Sequence, residues 1–253
     1  MDFGIDWSAP WLAPYRARGL ALAADLAAGA CVAEALNAQL RAGPPVLLEA
    51  GPLRFVAQDE LPEGESYEAF IHRSACVPTR DNAHDLFNGL VWLHWPGLKT
   101  RLNALHLQAL TESGGVQARR GPLRDALTLL DENAAFLQGP EPLRAALRER
   151  DWTALFGRLR PLWAQARLQL VGHALMEKLL QPRKPICAHV LILPEAADAQ
   201  DARGRWLAPE FLQCKPFLPL PVLGVPGWWP ANENPDFYDD PGVFRPGVRV
   251  QTG

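Results

Sequence analysis

A chain of 253 residues can build one sizeable core or two small ones, and 48% hydrophobic with 21% charged residues is the balance of a globular protein. A net charge of -3 and a pI near 6.1 exclude coating of nucleic acid by bulk positive charge. The arginines of the middle third, from Arg119 to Arg167, are interleaved with acids and read as solvated helix faces.

In chain order, Trp7, Trp11 and Tyr15 stand among prolines and predict an arm whose aromatics pack on the body. Apolar residues at helical spacing from Leu20 to Leu40 predict two helices separated at Gly29. Val46–Leu48 and Leu53–Ala57 predict two short strands around a Gly51–Pro52 turn. After an acidic loop, Ser66 is placed to cap a short helix over Tyr67–Arg73.

The segment Val77 to Leu93, VPTRDNAHDLFNGLVWL, is the most informative part of the chain. Pro78 bars helix before it, Asp81 or Asn82 can cap a helix after it, and Pro96 stops that helix. A second helix follows over Gly97–Thr111, ended at Ser113–Gly115, with Lys99, Asn103 and His106 on one face. Asp131-Glu132-Asn133, between two apolar runs, predicts a hairpin turn. Pro140–Arg150 and Asp151–Phe156 predict two short helices, and a strand ending at Val171 leads through Gly172 into a helix over His173–Leu180. Ile186–Leu193 has the apolar content of a buried strand. From Glu195 onward proline dominates, and Trp228, Trp229, Phe237, Tyr238 and Phe244 predict an extended segment anchored across the body. The expected fold class is therefore α+β, helix-rich, with a small mixed sheet and a long irregular Pro/Trp-rich C-terminal segment. One domain is expected, with an N-terminal helical part (1–65), a body (66–194) and a C-terminal wrap (195–253).

The chemistry-bearing residues fall into three groups. On the central helix His84 and Asn88 lie one turn apart, with Trp92 further along and Asp85 beside them. His173 and Glu177 are also one turn apart, so the carboxylate can share a divalent metal with the imidazole or orient it. Asp131 and Glu132 form the third group and gain meaning only beside His84 or His173. Each group has a purely structural reading: a buried hydrogen-bond network for the first, a local His–Glu bond for the second, turn chemistry for the third.

Only four of the 25 basic residues are lysines, which draws attention to Lys99 as a deliberate point charge; with Arg80 it could hold an anionic substrate. Walker A, GxGxxG, GxSxG and HExxH motifs are all missing. Cys31, Cys76, Cys187 and Cys214 form no CxxC pair, which excludes a local zinc knuckle and suits a reducing compartment. The start, MDFGIDWSAPW, lacks a signal-peptide pattern, and no apolar run is long enough to span a bilayer, so a cytoplasmic location is expected.

The blocks VPTRDNAHDLFNGLVWLHWPGLKTRLNALH (77–106), DALTLLDENAAFL (125–137), VGHALMEKLL (171–180) and LPVLGVPGWWPANENPDFYDDPGVFRP (220–246) resemble the bacterial family known as domain of unknown function 3025. The resemblance covers most of the chain and implies no catalytic residue, since that family has no established activity. It implies that His84, Asp85, Asn88, Asp131, Glu132, His173 and Glu177 sit within the family's motif blocks. Two readings follow. In one the chain is a polar-pocket hydrolase with a possible divalent metal: His84, Asp85, Asp131, Glu132, His173 and Glu177 do the chemistry, His84, His173 and Glu177 hold the ion, and Arg80, Asn88, Lys99 and Trp92 bind an anionic substrate. In the other it is a non-catalytic interaction module working through its Trp228–Trp229 surface.

Overall fold

The computed structural model describes residues 1–112, 121–201 and 203–247. A short 3-10 segment, Pro10–Tyr15, precedes α1 (Arg16–Ala27) and α2 (Val32–Ala42). Then come β1 (Leu47–Leu48), β2 (Gly51–Pro52), β3 (Arg54–Ala57), α3 (Tyr67–Ser74), β4 (Cys76–Thr79), α4 (Ala83–His94) and α5 (Pro96–Glu112). The second half runs α6 (Pro122–Asn133), β5 (Ala134–Gln138), α7 (Glu141–Glu149), β6 (Arg167–Leu170), α8 (His173–Lys178), β7 (Cys187–Ile192), α9 (Pro209–Gln213) and β8 (Leu218–Pro221). This is a helix-rich α+β protein. Its largest sheet is small and mixed, in the order β6-β5-β7-β8, with β5 and β7 parallel and the outer pairs antiparallel. Among the described residues no helix is long and apolar enough to cross a membrane.

The centre of the molecule is α4. Asn82 is extended (φ -146°) and its side-chain oxygen accepts from the Asp85 amide at 2.8 Å, satisfying one of the free donors of the first turn. Leu86, Phe87, Leu90, Val91, Trp92 and Leu93 are all buried, so the helix is apolar nearly all round and can sit only in the core. The loop before it is tied down by Asp81, whose carboxylate accepts from the Val32 amide at the start of α2 at 2.8 Å. α2 then crosses α4 at Gly89, where a Cβ would lie 2.2 Å from Leu36 Cδ1. The N-terminal arm closes the far end: Trp95 Nε1 donates to the Tyr15 hydroxyl at 2.9 Å, and that hydroxyl donates to the Leu170 carbonyl at 2.7 Å.

Three expectations are corrected. Asp131-Glu132-Asn133 is the last turn of α6, not a hairpin tip. Pro122 opens that helix, Leu123, Ala126, Leu127 and Leu130 form its buried face, and β5 follows without a loop. β3 does not pair back across Gly51–Pro52; that dipeptide pairs with β1, and β3 runs parallel to β4 (Arg54 opposite Cys76), a strand that Pro78 permits at an edge. The C-terminal segment is not wholly irregular, because β8 joins the sheet with Leu220 opposite Ala188. The expected stop at Ser113–Gly115, and Arg119 and Arg120, lie outside the described residues.

Gly172 decides how closely α8 approaches the end of α6. A Cβ there would fall 2.5 Å from the Asn133 amide nitrogen and 2.6 Å from that of Ala134, backbone atoms at the junction of α6 and β5 that cannot swing away. Gly172→Ala is therefore expected to destabilise the fold by roughly 1–3 kcal/mol through overpacking, measured by urea unfolding. A variant as stable as the wild type would show that this seam is looser than its geometry.

Candidate metal centre

Three helix ends meet at one point. His84 enters from the first turn of α4, Asp131 and Glu132 from the last turn of α6, and His173 and Glu177 from α8. The His84 and His173 rings stand nearly perpendicular (82°) with centroids 4.5 Å apart. Their Nε2 atoms face one another at 3.1 Å, and Glu132 Oε2 lies 3.8 Å from His173 Nε2. Ligand atoms of His84, Glu132 and His173 all fall within 4.8 Å of one another. Two donors bound at about 2.1 Å to a tetrahedral ion stand roughly 3.4 Å apart, so these three can converge on one cation.

Carboxylates stand behind both imidazoles. Glu177 Oε2 is 2.8 Å from His84 Nδ1, so a neutral His84 carries its proton there and turns a lone pair inward at Nε2. Behind His173, Asp131 Oδ2 is 4.0 Å from Nδ1, which is buried and makes no hydrogen bond of good geometry among the described residues. Asp131 is itself held by Lys99, whose Nζ donates to Oδ1 at 2.6 Å. Burial opposes ionisation of Asp131, but Lys99 and His173 outweigh it and hold the carboxyl at about 2. Burial and the neighbouring Asp131 charge push Glu132 upward. Burial depresses His173 to about 4, with Lys99 and His84 acting the same way against Asp131.

If His173 donates from Nε2 to His84, its Nδ1 is a bare acceptor buried toward an ionised carboxylate. If the proton sits on Nδ1 instead, two lone pairs face each other at 3.1 Å. A proton shared between the Nε2 atoms, with His84 paired to Glu177, or a metal cation there removes the conflict; either leaves both Nδ1–H groups pointing at acids, and with a metal that is the usual support of a bound histidine.

The remaining expected site residues take up definite positions. Asp85 accepts from the Arg80 amide at 2.6 Å and from its guanidinium twice at 3.0 Å, so these two residues bind each other at the cavity wall. Asn88 donates to the Tyr67 hydroxyl at 2.9 Å, while its own side-chain oxygen is buried and unpartnered among the described residues. Trp92 and Lys99 are buried behind the wall, with the Lys99 ammonium 5.6 Å from the Trp92 ring centre. Glu177, expected as a ligand beside His173, reaches the outer nitrogen of His84, and the carboxylate facing the two Nε2 atoms is that of Glu132. In front of the cluster lies a cavity of ≈ 340 Å³, lined also by Tyr67, Glu68, His106 and Thr128. Tyr67 and His106 were not among the expected site residues. His106 shares a helix face with Lys99, a spacing that could have marked it, whereas Tyr67 arrives from a distant helix and carries no local signal.

Residues 53–248 match the family described as protein of unknown function (DUF3025), and the chain belongs to that family. All three groups of site residues lie inside the matched span. No curated protein and no solved structure matches the chain.

The buried neutral state of His173 has a consequence for pH. An unfolded histidine takes its proton near 6.5, the folded one only near 4. Between those values the unfolded chain binds more protons, so stability falls as pH is lowered through this window, by up to about 3 kcal/mol from this residue. In chelator-treated protein, His173→Gln is expected to flatten the plot of unfolding free energy against pH between 6.5 and 4. An unchanged slope would assign the acid sensitivity to other groups.

Proposed function

We propose that the chain is a divalent-metal-dependent hydrolase, with His84, Glu132 and His173 as the protein ligands and Glu177 and Asp131 as the carboxylates that orient the two imidazoles. The observation that carries this reading is the pair of Nε2 atoms facing each other at 3.1 Å beside Glu132, an arrangement that brings two ring nitrogens and a carboxylate to one point where a single cation would satisfy all three. Two histidines and one carboxylate, with a cavity on the open side, are the donor set of catalytic rather than structural zinc sites. A metal bound there would supply Lewis acidity and lower the pKa of a coordinated water.

The chain's own groups have separable roles in this reading. Glu177 and Asp131 hold protons on the outer nitrogens, and Lys99 keeps Asp131 ionised. Asp85 positions Arg80, whose side chain is 57% exposed at the wall and offers its remaining N–H groups to an anionic substrate. His106, also on the wall, is depressed by burial, which favours its neutral imidazole form. The alternative, an interaction module using the tryptophan segment, has less support. Trp228 and Trp229 are half-buried against the core, and Trp228 packs on Trp11 with ring centres 6.2 Å apart.

Elemental mass spectrometry of tag-free protein is the direct test. Near-stoichiometric zinc, manganese or another divalent ion is expected in the wild type, lost in folded His84→Ala, His173→Ala and Glu132→Gln. Glu177→Gln is expected to retain the site with affinity about 10–100-fold weaker. Wild-type protein that takes up no zinc, manganese or magnesium on incubation would sink the proposal.

A further inference from the structure

A cavity of ≈ 880 Å³ lies away from the histidine cluster, at the other end of α4. It forms where Leu93 and the first turn of α5 (Pro96, Gly97, Thr100) meet the α2–β1 loop and the stretch before α9. α4 has 12 residues, so about 18 Å of helix separates the two cavities.

Its walls divide by chemistry. Leu40, Val46, Leu93, Ala104 and Leu207 make it apolar, and Leu47 at the rim is 68% exposed, the most exposed large apolar side chain described. Four arginines, Arg18, Arg101, Arg203 and Arg205, complete the lining, with no aspartate or glutamate among the lining residues. In a chain whose acids outnumber its bases, 28 to 25, that is a strong local bias. None of the four guanidiniums has an ion-pair or hydrogen-bond partner among the described residues, unlike Arg73, Arg80, Arg144 and Arg160 elsewhere. Arg18 reaches the lip itself: a Cβ on Gly43 would lie 3.8 Å from its Nη2. The positive end of the α5 dipole opens onto the same space through Pro96 and Gly97.

We infer that this cavity is a binding site for a small amphipathic anion, an apolar tail lying against Leu40, Val46, Leu93 and Leu207 and a carboxylate or phosphate head held by the arginines. The volume falls in the range of small-molecule sites. An apolar floor under cationic arms selects for both halves of such a ligand, since a tail alone leaves the arginines to water and a head alone buries no apolar surface.

Calorimetric titration of the full chain, below micelle concentrations, tests this. Decanoate and decyl phosphate are expected to bind saturably at one site, and acetate, inorganic phosphate and decyltrimethylammonium at least about tenfold more weakly. The double variant Arg101→Glu/Arg205→Glu is expected to lose about tenfold or more for the two anionic amphiphiles. Ala104→Phe, which fills the apolar wall without touching charge, should weaken the long-tailed anions and leave acetate unchanged. His84→Ala should bind them as the wild type does, which separates this site from the metal centre. Equal affinity for the cationic amphiphile, indifference to the arginine substitutions, or no saturable binding of either anion overturns the proposal. Flotation with phosphatidylglycerol vesicles without binding of free decyl phosphate also overturns it, assigning the patch to a membrane surface.

Discussion

The carbonyl of Ala134 accepts both the Val171 and the Gly172 amides, at 3.0 and 2.9 Å, and this shared contact joins the end of α6 and the start of β5 to the entry of α8. Glu132 stands two residues before that carbonyl and His173 one residue after those amides. The seam therefore sets the distance between carboxylate and imidazole. It closes so far only because position 172 has no side chain. His84 is brought to the same place by a different force, the burial of α4, whose apolar surface leaves it no position but the core. Backbone hydrogen bonding places two members of the cluster and the hydrophobic effect the third.

Polar groups gathered so near a core must be compensated, and the pattern of compensation is uneven. Lys99 and Asp131 neutralise each other, Arg80 and Asp85 do likewise, and His84 is matched by Glu177. His173 Nδ1, Asn88 Oδ1 and Trp92 Nε1 are buried without partners among the described residues, and they belong to the two helices that carry the histidines. The scarcity of lysine acquires a meaning here. Lys99, Lys178, Lys184 and Lys215 each bind a specific oxygen, on Asp131, Asn133, Asp240 and Asp125.

Much of the scaffold was legible because the signals are local. Ser66 and Asn82 cap the helices they precede, Pro96 separates α4 from α5, and Gly29 takes the positive φ (102°) between α1 and α2. The errors have local causes too. Asp131-Glu132-Asn133 carries the composition of a turn, and only the periodicity of Leu123, Ala126, Leu127 and Leu130 before it reveals a helix running to its last residue. β4 was hidden because its proline tolerates only one-sided pairing and its partner, β3, lies 22 residues away.

Residue chemistry and spacing alone established the helix-rich class, the capped helix between Pro78 and Pro96 and the three polar groups worth following. A single residue's neighbours along the chain carry that information. The meeting of His84 with His173, the reach of Glu177 to His84, and the pairing of Lys99 with Asp131 exist only in three dimensions. They join residues 89, 93 and 32 positions apart, through contacts that depend on the Gly172 seam and on how α5 and α8 pack about α4. The arginine-ringed cavity is a more extreme case, since its four cations come from three segments with no common motif and meet only when packing leaves them around one apolar floor.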